Sequence, residues 1–134
     1  MSGKSDYLEL KLLDHVLGAT VFTTPATVYV GLFSVTPGDP GGGTELSGNG
    51  YARVAVTNNT TNWPNAAAGS KSNGTDIVFP TATPSDWTAA VAFGIFDASV
   101  AGNLLVWGAL TGTVTVLAGE TPQFNAGDLT YTED

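Results

Sequence analysis

The sequence predicts a mainly β, single-domain protein (residues 1–134), an antiparallel β-sandwich or barrel-like fold carrying one N-terminal α-helix. Three observations predict it. Short runs rich in β-branched and aromatic residues recur along the chain, separated by turn residues drawn from 17 glycines, 7 prolines and several asparagines. Helical periodicity occurs in one stretch only, near the N-terminus. No internal repeat of 20–50 residues and no run of heptads is present, so solenoids and long coiled coils are set aside. A chain of 134 residues without cysteine is long enough to bury a core without disulfide staples.

The helix is predicted over about 5–17, SDYLELKLLDHVL. Ser5 is its candidate N-cap, Asp6 and Glu9 lie in the first turn, and Gly18 stands where a left-handed C-cap residue is wanted. Leu8, Leu10, Leu12, Leu13, Val16 and Leu17 cover more than half of the helical wheel, wider than the stripe a helix needs to lie on one sheet. Such a helix is expected to be sandwiched, and the pattern favours a place in the core that the strands complete. The other expected place is between the sheet and a neighbouring subunit.

Thr27–Phe33 reads as a central strand, with Val28, Val30 and Leu32 on one face and Tyr29, Gly31 and Phe33 on the other. The Gly/Pro-rich stretch 36–50 is expected to be a long surface loop, and 58–74 a second one. Between them, Tyr51–Thr57 alternates as a strand. Thr75–Phe79 reads as a short strand ended by Pro80, and Trp87–Asp97 as another central strand. Ala101–Gly102–Asn103 turns the chain into Leu104–Leu110, the strongest hairpin signal present. Thr113–Leu117, a segment beginning at Gln123–Phe124 and Leu129–Tyr131 complete a count of seven or eight strands.

Charge narrows function by exclusion. Four basic residues against twelve acidic ones give a formal charge of −8. Nucleic-acid and anionic-membrane partners, which need clustered Lys and Arg, are not expected. No secretory signal and no apolar run of membrane-spanning length is visible. Only 12% of residues are charged. The neutral surface this implies suits a protein packed against other subunits.

No constellation carries catalysis. His15 is the only histidine, Asp14 is beside it in sequence without facing it, and no G-x-S-x-G motif occurs. The glycines at 41–43 lack the lysine and the strand–loop–helix context of a phosphate loop. Asp39 and Glu45 match no EF-hand spacing, so neither metal nor cofactor is expected. Asp97, at the end of an apolar strand, reads as a turn-capping residue. Scattered carboxylates leave a small carboxylate-dependent hydrolase as a third-ranked reading.

The opening SDYLELKLLDHVLG, then PATVYVGLF, then GGGTELSGNGYAR, resembles small structural proteins of tailed phages, those labelled tail fibre or capsid decoration (cement) proteins. The likeness covers about 2–56 and continues more weakly in Trp87–Asp97. The resemblance implies a non-enzymatic virion component made in the host cytoplasm, a homo-oligomer and in particular a trimer. Its first-ranked implied role is decoration of a major capsid protein lattice, with a tail or tail-fibre protein contacting the host surface as the alternative. The expected sites are therefore interface positions: the helix face at Leu8, Leu12 and Val16, the lone arginine Arg53, and Trp63 in its polar loop. Arg53 is expected in a surface ion pair or across a subunit boundary. Trp63 is expected as an anchor, folded back on its own domain or pressed into a partner.

Overall fold

A computed structural model describes residues 1–133. Its main layer is one antiparallel sheet of six strands: β1 (Ser2–Lys4), β2 (Thr27–Val35), β3 (Thr44–Glu45), β4 (Val54–Thr57), β7 (Ala90–Phe96) and β8 (Leu104–Val114). The order across it is β1-β8-β7-β2-β3, and β4 pairs with the other end of β2. Two small antiparallel pairs form beside it. One joins β5 (Ser70–Ser72) to β10 (Thr130–Thr132), the other β6 (Ile77–Val78) to β9 (Gln123–Phe124). The predicted antiparallel sandwich with one helix near the N-terminus is therefore what forms.

The two apolar strands form the centre because both their faces are covered. On one face Val28, Val30, Leu32, Phe93 and Ile95 enter the main core. Facing them from the second layer are Trp63, Ile77, Phe79, Trp87, Val116 and Leu129. On the other face Phe33, Ala92 and Phe96 form a smaller cluster, with Phe33 and Phe96 stacked at 6.0 Å between ring centroids. The paired Gly31 and Gly94 make room for it. A Cβ on Gly94 would lie 2.7 Å from a Phe33 ring carbon, and one on Gly31 2.8 Å from Glu45 Oε1.

Several boundaries differ from the expected ones, each for a local reason. The two expected loops each contain a short strand, β3 in 36–50 and β5 in 58–74, too brief to leave a period in the sequence. The strand expected from Tyr51 starts at Val54, because Tyr51 turns inward against Phe79 and Trp87. Thr113–Leu117 is no separate strand, since β8 runs on to Val114. Val116, 1% exposed, then enters the core while its carbonyl accepts from the Trp87 N–H. The last strand is shifted one residue, to Thr130–Thr132. The strand β1, ahead of the helix, was not expected from three residues that include a glycine.

The largest correction concerns the helix. α1 spans Asp6–Val16 with Ser5 as N-cap, as expected, but none of its residues is fully buried. The core is organised by β2, β7 and β8, and α1 lies outside it. Its root is the part packed on the core: Tyr7 and Leu8 lean on the core cluster, and Ser5 is 4% exposed. At its end Gly18 has φ +143°, and the left-handed residue is Ala19 at +53°.

Candidate functional site

The most distinctive surface follows from that correction. Ser5 holds α1 to the sheet: its N–H donates to the Leu105 carbonyl at 2.9 Å and its hydroxyl to the Leu104 carbonyl, while Oγ accepts from the Leu8 N–H. The Asp6 N–H donates to the Asp39 carbonyl at 2.7 Å. Beyond this root one apolar side of the helix meets solvent. Leu10 is 63% exposed, Leu13 57%, Val16 72% and Leu17 75%. Soluble monomers seldom expose such contiguous apolar groups unless they mark a contact site. Of the predicted helix positions, Leu8 and Leu12 are half-buried and Val16 is exposed. The helix face thus splits into a half-buried side and a free one, and the free one is best marked by Leu10, Leu13 and Leu17. Sequence reasoning missed these three as site residues because the wide stripe did not say which part the body would cover.

Arg53 is elsewhere and does something else. It sits over the Phe96 ring, 3.4 Å from its centroid, with its side chain only 8% exposed. Its Nε and one terminal nitrogen donate to both Glu45 oxygens, each at 2.8 Å. The other terminal nitrogen donates to the carbonyls of Ala98 and Ala101, also at 2.8 Å. The expected surface ion pair is therefore a largely buried, bidentate one that straps the 97–103 turn to β3. Tyr51 completes the group: its hydroxyl donates to Glu45 Oε1 at 2.9 Å and accepts from the Leu32 N–H at 2.9 Å. Burial first, and the adjacent Glu45 carboxylate second, push the Tyr51 phenol well above its ordinary range, against the opposing effects of the Leu32 N–H and the Arg53 charge.

Local backbone explains why these residues meet. Gly48, Asn49 and Gly50 all have positive φ, at 76°, 50° and 81°. They reverse the chain tightly enough to bring Tyr51 and Arg53 back over Glu45. Within the strapped turn, Asp97 accepts from the Asn103 backbone N–H at 2.7 Å and from its side-chain amide at 2.8 Å, the capping role expected of it.

Trp63 is folded back into its own domain. It is 8% exposed in the main core, and its indole N–H finds no partner among the described residues. It is not brought together with Arg53 or the helix face.

Two open clefts flank the root of α1. One, of about 840 Å³, is lined by Lys4, Glu9, Asp39, Trp107, Tyr131 and Glu133. There Lys4 and Tyr131 both donate to the Glu133 carboxylate. Partial burial works against ionisation of Glu133, but these two hydrogen bonds outweigh it and lower its pKa. The other cleft, of about 530 Å³, lies over Phe33 and Phe96 beneath glycines 41–43. Neither places a histidine beside a hydroxyl: His15 lies on α1, where its Nδ1 accepts from the Phe22 N–H at 3.2 Å. Among the described residues no three His, Cys, Asp or Glu side chains gather as a metal site, and no helix is long and apolar enough to cross a membrane.

The described surface thus combines a free apolar helix side with a body in which Arg53, Glu45 and Tyr51, and Lys4, Tyr131 and Glu133, are joined to one another. No curated protein matches the chain significantly. A family model described as podophage GP4 fiber I protein gp80 matches residues 3–132, nearly the whole length. The chain belongs to this family of phage fibre proteins, and so to the structural components of a virion.

Proposed function

We propose that the chain is a non-enzymatic subunit of a podophage fibre, held in the virion by contacts with other subunits. The carrying observation is the exposed apolar side of α1, four aliphatic residues between 57% and 75% exposed on a helix that contributes nothing fully buried to its own core. The family description supports the tail-fibre reading over decoration of a capsid lattice. Self-association belongs to the same proposal, as a trimer or another closed oligomer. The low charge content and neutral Thr-, Ser- and Ala-rich surface favour it, and the molar mass of the purified protein in solution measures it. An outward-facing fibre surface that touches the host cell is the corresponding biological role.

Gold-labelled antibody against the chain, applied to intact virions, tests the placement. Label on the fibres is the expected result. Label spread over the head lattice contradicts the proposal and returns the protein to a cementing role.

A further inference from the structure

Resting on the fibre reading, we infer that the Leu10–Leu13–Leu17 stripe of α1 and its C-cap plugs into an apolar groove with a basic rim on a different virion protein, and not onto a second copy of this chain. The spacing i, i+3, i+7 is the anchor pattern of a helix laid into a groove, and it extends about 10 Å along the helix axis. The stripe is presented ready-made. The root of α1 is fixed at Ser5 and Asp6, and the chain after the helix is closed back on it by the Thr20 N–H to the Asp14 carbonyl and the Phe22 N–H to His15. A helix ordered in advance loses less entropy on docking. Val21, 76% exposed just beyond, prolongs the apolar surface.

Charge selects the partner. At a helical rotation of about 100° per residue, Asp6 falls within the stripe's arc, with Glu9 on one flank and Asp14 on the other. Lys11 is turned to another side, 5.7 Å from the centre of the Tyr7 ring. Two copies meeting stripe to stripe would therefore bring both sets of these acids to one seam, in a chain already carrying −8. A second copy also offers few cations for a rim. Of its other three cations, Lys4 is held by Glu133, Arg53 is enclosed by Glu45 and two carbonyls, and Lys71 donates to the Pro64 carbonyl at 2.9 Å. A foreign groove lined with aliphatic side chains and edged with Lys or Arg satisfies both the stripe and its acids.

The test uses the full chain and particles of its phage that lack it. Wild-type protein, Leu13→Glu/Leu17→Glu and Glu9→Lys/Asp14→Lys are each sedimented with the particles at low and high salt. Molar mass and melting of each protein are measured alone. The expected result is wild-type binding that weakens with salt, and a loss of about tenfold or more in both variants, with unchanged melting and unchanged molar mass. Undiminished binding of the Leu13/Leu17 variant overturns the inference. So does tighter binding after charge reversal, and so does a fall in the variants' own molar mass, which would make the stripe a contact between copies. Those outcomes leave the fibre reading standing. Wild-type protein that never binds the particles overturns that reading and the docking with it.

Discussion

Arg53 shows how much one side chain can hold when geometry closes around it. Its guanidinium fills a flat site made by a carboxylate, two carbonyls and an aromatic face, an arrangement lysine cannot reproduce. Replacing it with methionine leaves the Glu45 carboxylate with only the Tyr51 hydroxyl, and the expected cost is roughly 3 kcal/mol in denaturant unfolding. Removing both charges together, as Arg53→Met with Glu45→Met, should recover much of that loss. The same cluster gives stability an alkaline edge. The folded state keeps the Tyr51 proton to higher pH than the unfolded chain does, so its contribution is complete below the ordinary phenol value of about 10. It should decline as pH rises beyond that value, because the unfolded chain ionises first. Unfolding midpoints followed above neutrality, in wild-type and Tyr51→Phe, should show a shallower alkaline decline in the variant. The residues Thr44–Arg53 were legible as a motif but not as a buckle. The pairing of Glu45 with Arg53 depends on three successive positive-φ residues that a sequence suggests only as a turn.

At the scale of elements, periodicity identified the sheet and misjudged the helix. Strands β2 and β7 announced themselves by apolar runs with two usable faces, and both faces are covered. The hairpin joining β7 to β8 was equally plain from its Asp97 and Gly102. Two- and three-residue strands such as β1, β3 and β5 leave no pattern, and register alone makes them strands. The helix was read as a core element because an apolar arc is the same whether its own body or a neighbour covers it. The paired glycines carry a prediction of their own. Gly94→Ala places a methyl group against Phe33 and Leu104, at 2.7 and 2.9 Å, and should destabilise by about 1–3 kcal/mol in thermal or denaturant unfolding. The same substitution at Gly112, where nothing lies within 4 Å, serves as the control and should change little.

For the whole molecule, the family match carries the role, and composition is consistent with it. Low charge content, a net −8 and a helix with surplus apolar residues are the features on which the proposed place among other subunits rests. The residues chosen as interface positions divide accordingly. Val16 belongs to a free surface and Leu12 borders it, whereas Leu8 packs on the core and Arg53 and Trp63 hold the body together. Aromatic and arginine residues mark interfaces and cores alike, and only the folded chain says which.

The most direct measurement is a cryo-electron reconstruction of the virion at a resolution that traces this chain. The account predicts the β body within a fibre, with Leu10, Leu13 and Leu17 covered by another virion protein. A chain seated on the capsid lattice, or a fibre in which this side of α1 faces open solvent, would contradict it.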